Sequence, residues 1–404
     1  MASTSIFSPK FTPPSKQLSI LSSTSTKSLI SFFSHLPSTP NPNVNNCKRD
    51  FPISKVASVP YQPINQEYLE EEFSGHGVTF EGIGEICVAK MELENGSTAS
   101  LMLPNGLITS YKAHMWHKGT LELLHTSVSE AEDEDEALIE GGTSLALSFA
   151  SEEDQHSWSP TSWSLHGVSG NPNDSIKIEM ISNDSEGKIR LKHIVTLKQD
   201  MLSSELMVSN LKSSPLQMLG GFMSHITVST PDAIYALGLD RSNFFDRQPI
   251  DTEYTIIPPR YGDRSQPGYG QVYGKMTLQA LGSTLRSLNK NYADVGRRNS
   301  YQSEEDGEEG EEDDSYKQLT EEMSRIYTSA PRVFTFLDRG KRNSITVGRS
   351  GFEELYLMSP GSVHEFYSKY AYILVGKTAL LKPIMVAPGD EWIGSFFIHN
   401  PNSE

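Results

Sequence analysis

The side chain best placed for proton chemistry is His225, in the stretch Gly220–Arg247, GGFMSHITVSTPDAIYALGLDRSNFFDR. Imidazole is the side chain whose ordinary titration lies nearest neutrality, so it can give or take a proton at physiological pH. His225 shares parity with Met223 and Thr227 in an apolar run, so it belongs to a strand face that is buried on at least one side. A lone histidine in a strand is more often a hydrogen-bonded core or rim residue than a catalyst. Other groups offer less. HMWH sets His114 and His117 at i, i+3 with His125 downstream, a thin zinc pattern lacking any cysteine or carboxylate in ligand spacing. Two acid-dense runs, Ser129–Glu140 with seven acids and Ser303–Asp314 with nine, have no spaced oxygen ligands around a fixed glycine and read as solvated loops. Cys47 and Cys87 are the only cysteines, which excludes a disulfide framework and a cysteine metal site. No flavin, nicotinamide or iron–sulfur motif occurs, and no cofactor is expected.

The elements that must carry these residues are strands. From Val78 onward, short β-prone runs alternate with turns such as Pro104-Asn105-Gly106 and Pro388-Gly389-Asp390. Expected strands include Ile86–Met91, Ile189–Leu197, Leu216–Thr230, Ala233–Leu239, Ala371–Val375, Leu381–Val386 and Trp392–Ile398. The GLD at 238–240, with the aromatics and Asp246 behind it, reads as a closing loop. No long segment has a 3.6-residue apolar period, so a sandwich or barrel is expected, not βαβ units. The chain divides into a leader (1–56), an extended lead-in with one short helical turn (57–77) and one all-β domain (78–404).

The leader is legible from its charge. Residues 1–49 contain no Asp or Glu, five basic residues and a dozen serines, the composition of an organelle transit peptide; MASTSIFSP favours the chloroplast. The chain has 34 basic and 51 acidic residues, so removing those five basic ones takes −17 to −22. Such a surface repels nucleic acid and anionic lipid. No run of 18 apolar residues exists, so no transmembrane helix is expected.

SHITV followed by IYALGLDRSNFFD resembles the corresponding segment of aldose 1-epimerases, the glucose-6-phosphate 1-epimerases among them. ASLMLPNGLITSYKAHMWHKGTLELLH, LIEGGTSLALS, QHSWSPTSW, FEELYLMSPGS and YAYILVGKTALLKPIMVAPGDEWIGSFFI are similar to further family segments in the same order. The resemblance implies a galactose mutarotase-like all-β supersandwich with acidic loop insertions at 129–140 and 303–314. It puts His225 on the general acid that protonates the sugar ring oxygen, and His156 on the second active-site histidine. Three family positions depart. The phosphate-holding arginine is Glu140, a second arginine is replaced around Pro160, and the catalytic glutamate falls on Gly376. Asp390 and Glu391 lie nearby but read as exposed turn acids. Ring opening needs a base as well as an acid, so the resemblance implies a vestigial site with no catalytic, cofactor or metal residues.

Transit peptide, acidic sandwich and lost glutamate together resemble the photosynthetic NDH subunits of subcomplex B. These are accessory proteins of the thylakoid NAD(P)H dehydrogenase-like complex of cyclic electron flow around photosystem I. This implies a peripheral, stroma-side protein whose partners are other subunits of subcomplex B and neighbouring NDH subcomplexes, with the photosystem I supercomplex reached indirectly. A stromal hexose-phosphate 1-epimerase with a rearranged site and a sugar-binding module without turnover are the alternatives.

Overall fold

The computed structural model describes residues 66–83, 86–130, 137–151, 157–259, 261, 276–277, 309–362 and 369–401. The expected transit peptide and His156 lie outside them. One of the two large sheets has 12 strands. It runs from the edge strand Val78–Ile83 through Ile86–Glu92, Thr98–Met102, Leu107–His114 and Thr143–Ser151 to Leu216–Thr227. It continues through Tyr372–Val386, Glu354–Pro360, Glu322–Tyr327 and Asn243–Asp246 to Glu309–Glu311, with Thr120–Glu122 added on Leu107–His114. The other has nine strands, from Tyr316–Gln318 through Val333–Asp338, Glu391–His399 and Met201–Asn210 to the edge strand Ser164–Asn171. The all-β sandwich expected from the turns is therefore present.

Alternation explains how the sheets face each other. Met201–Asn210 is half-buried and buried at successive residues, so one face meets the core and the other meets solvent. Leu202, Leu206, Val208, Phe222, Val375 and Phe396 fill the space between the sheets. The middle of the larger sheet departs from this pattern. Glu354–Pro360 is buried at every residue, as is Tyr372–Leu380. A strand buried on both faces needs cover on both. The second sheet covers one face; on the other, Ile250, Ile256 and Tyr261 pack on Met223, Tyr356, Tyr372 and Leu374.

Several expectations change. Ala371–Val375 and Leu381–Val386 form one strand, Tyr372–Val386, whose irregularity around residue 380 is held by Glu354 accepting from the Leu380, Leu381 and Lys382 amides at 2.5–3.1 Å. The lead-in carries an eight-residue helix, Gln66–Phe73, seated by buried Leu69. The loop expected over Asn243–Asp246 is a strand, because Phe244 inserts into the core and pairs with Tyr327 across the ladder. The end of the second acidic run is no solvated loop. Glu309–Glu311 pairs with Asn243–Phe245, and buried Glu312 accepts from Arg325 Nη1 at 3.0 Å and Tyr327 Oη at 3.1 Å. Charge density predicted repulsion; Arg325 and Lys317 neutralise it locally.

Candidate functional site

His225 sits near the end of the central strand Leu216–Thr227, facing away from the second sheet. Its backbone is fixed from both sides: its amide donates to Gly142 O at 2.8 Å and its carbonyl accepts from the His125 amide at 2.9 Å. The imidazole has 0% exposure. The Ile256 amide donates to its Nε2 at 3.2 Å. That bond requires an unprotonated Nε2, so Nδ1 carries the hydrogen and points it at Gly142 O, 3.4 Å away. Burial drives its pKa down to about 3, with a smaller downward push from His125. The ring is neutral near pH 7, and a backbone amide occupies its basic nitrogen.

The Gly142 carbonyl reaches His225 because Gly141 and Gly142 itself take the left-handed region, at φ 93° and 65°. A Cβ at Gly142 would stand 2.3 Å from Ile108 O, so the turn admits no side chain there. Above the histidine lies the segment 250–261. Tyr372 Oη donates to Ile256 O, its ring stands 5.1 Å from that of His225, and the Ile250 amide donates to Tyr356 Oη at 3.2 Å. Tyr261 Oη donates to Ser359 O at 3.2 Å, and Tyr254 O accepts from the Gly141 amide at 2.7 Å. The segment is a lid made of the chain itself. Burial pushes the Tyr356 phenol up to about 12 and the Tyr372 phenol well above its ordinary value.

Gly376 lies in the same layer, opposite Met223 on one neighbouring strand and Tyr356 on the other. A Cβ there would come within 2.8 Å of Tyr356 Cβ and 2.9 Å of Met223 Sδ. The position is therefore already full. Glu140 is half-buried in the strand Ala137–Gly141; after burial itself, its charge contributes to raising the phenols of Tyr370 and Tyr372. The structure thus brings Glu140 into electrostatic reach of the covered face. Pro160 is half-buried in the connection following Trp158. Asp390 and Glu391 are exposed, with Glu391 accepting from Ser209 Oγ at 2.8 Å. His125 Nε2 is bonded to Lys369 O at 2.8 Å, His117 packs on Trp116, and no metal-competent cluster occurs among the described residues.

Sequence reasoning missed three buried groups. Lys377, one residue beyond Gly376, points the other way, into the core between the sheets. It donates to Ser224 Oγ at 3.2 Å and stands 4.6 Å from the Phe396 ring. His193 bonds Ser204 Oγ at 2.6 Å between the sheets. Glu354 is a buried carboxylate spent on backbone amides. Tyr372, which holds the lid from the strand Tyr372–Val386, shares parity with Leu374 and Gly376, the one signal that could have placed it on the histidine's face.

The two large antiparallel sheets packed face to face have the galactose mutarotase-like fold. The candidate mutarotase YeaD of Salmonella typhimurium is similar in fold, with a TM-score of 0.52 over 80% of this chain and 93% of its own at 11% identity. The crystal structure of HI1317 is similar with a TM-score of 0.50 over 81% of this chain and 97% of its own at 12% identity. No family model matches the chain. The protein NDH-dependent cyclic electron flow 5 of Arabidopsis thaliana is 42% identical over 386 residues, covering 95% of this chain and 96% of that one. The chain belongs to the family of that protein.

Proposed function

We propose that this chain is a non-catalytic accessory subunit of the chloroplast NDH complex. It stabilises the hydrophilic subcomplex B for cyclic electron flow around photosystem I. The observation that carries the non-catalytic half is the lid. An acid must reach a substrate oxygen within hydrogen-bond distance, and His225 instead bonds Ile256 and Gly142 beneath 250–261. Glu140, Pro160 and Gly376 stand where the resemblance places two arginines and a glutamate, and His225 and His156 are then vestigial. The NDH half rests on the family, one member of which carries NDH-dependent cyclic electron flow in its name. The acid-free leader supports import into the chloroplast. Among the described residues no helix is long and apolar enough to cross a membrane, in keeping with peripheral attachment on the stromal side of thylakoids.

Two measurements test the reading. Thylakoids from a line lacking the chain should lose intact subcomplex B on native gels, and re-expression should restore it. Glucose 6-phosphate and galactose anomer interconversion, followed by NMR at micromolar protein, should proceed at the uncatalysed rate. Catalysis abolished by His225→Ala would instead identify an epimerase.

A further inference from the structure

Thr126–Glu130 and Ala137–Gly141 form a two-stranded antiparallel ribbon that belongs to neither large sheet. Among the described residues its ties to the body lie at the base, where the Gly141 amide donates to Tyr254 O and the Gly142 amide to His125 O, both at 2.7 Å. A lone two-stranded ribbon is marginal in water unless something packs on it. Each face nonetheless carries an apolar side chain. Val128 is directly opposite Ile139 on one face, and Leu138 lies on the other beside the Ser127–Glu140 pair. Val128 is 68% exposed, more than any other large apolar side chain among the described residues, and Leu138 is 46% exposed.

Charge selects what can cover such an arm. No Lys or Arg occurs between Lys118 and Lys177, and the sequence joining the two strands, 131–136, is AEDEDE. Another copy of this chain would meet like charge, and so would anionic lipid or nucleic acid. We propose that the ribbon is the docking arm of the protein. Its occupant is a protein partner within the NDH complex that presents an apolar groove rimmed by Lys and Arg. Val128 and Ile139 enter from one face and Leu138 from the other, and a basic rim answers the net negative charge of this stretch of sequence. This rests on the accessory-subunit reading and adds the surface by which the subunit is held.

The test uses the full-length chain re-expressed in a line lacking it, with Val128→Ser and Leu138→Ser combined. Ile393→Ser, at a residue 49% exposed on the nine-stranded sheet, is the control. The purified double variant should keep the wild-type Tm, because neither side chain is buried. Its co-migration with the NDH complex on native gels should fall by about tenfold or more, as loss of a central apolar contact does, while Ile393→Ser co-migrates normally. Wild-type association should also weaken as salt rises from about 0.1 M to about 1 M, where the Debye length falls from about 10 to about 3 Å. Undiminished co-migration of the double variant would overturn the arm while leaving the accessory-subunit reading intact. Failure of the wild-type chain itself to co-migrate would remove both. Sedimentation of the wild type, but not the double variant, with phosphatidylglycerol vesicles would make the ribbon a lipid anchor and overturn the proposal equally.

Discussion

Placing a side chain at Gly376 is the sharpest probe of the covered site. The smallest step, Gly376→Ala, adds one methyl group. It would stand 2.8 Å from Tyr356 Cβ, 2.9 Å from Met223 Sδ and 3.0 Å from Thr378 Cγ2. Two of those atoms belong to buried side chains on the flanking strands, and Tyr356 is pinned by the Ile250 amide and Ser324. Overpacking of this kind costs about 1–3 kcal/mol. Replacing a glycine in a strand returns about 0.5–1 kcal/mol of backbone entropy. The clash wins, and a net loss of about 1–2 kcal/mol should lower Tm by a few degrees. Gly376→Glu adds a carboxylate under Tyr356 and Tyr372, while Lys377 faces the opposite side of the sheet. An ion left unpaired in such a place costs several kcal/mol, so this variant should lose most of its cooperative unfolding transition. Circular dichroism melts of wild type and both variants decide the matter. A Gly376→Ala protein as stable as wild type would refute the packing argument. A folded Gly376→Glu protein that accelerated anomer interconversion would refute the closed site.

Lys377 should give stability a particular pH dependence. Its partners are the Ser224 hydroxyl, the Val375 carbonyl and the Phe396 ring, none of them an anion, and burial followed by Arg349 lowers its pKa to about 7. An unfolded lysine titrates at about 10.4, so between these values the unfolded state binds more protons and stability rises with pH. Guanidinium melts from pH 7 to 9.5 should show that rise, and Lys377→Met should flatten it; an unchanged slope refutes the assignment. Glu312→Gln should destabilise by about 2 kcal/mol, because it removes the charge that Arg325 and Lys317 share at 3.0 and 3.5 Å. Denaturant midpoints equal to wild type would return Glu312 to the solvated loop expected from its acidic run.

The strands were legible because alternation and turn residues are local signals. Ile189–Leu197 was expected and Ile189–Lys198 observed, and the error elsewhere is mostly a residue at an end. The missed strands have local reasons. Ser164–Asn171 is an edge strand with little buried, so its sequence carries almost no apolar alternation. Glu309–Glu311 is held by pairing with Asn243–Phe245, and Glu312 beside it by Lys317 and Arg325; none of these partners lies within the acidic run.

The site was legible only in part, for a related reason. The parity of Met223, His225 and Thr227 correctly placed the histidine on one sheet face, but parity cannot say what lies on that face. The cover, 250–261, begins 25 residues after His225 and holds Pro258 and Pro259, so it has neither strand alternation nor helical period. Its bonds go from its backbone to side chains far away in sequence: Ile250 N–H to Tyr356, Ile256 N–H to His225, and Ile256 O to Tyr372. An irregular segment must place its backbone polar groups somewhere when it is buried. Here an imidazole and two phenols on the covered sheet face satisfy them. His225 thereby has a structural task. Its Nε2 now accepts the amide of a lid, and replacing it by an apolar residue would leave that amide buried and unpaired at a cost of about 1–3 kcal/mol.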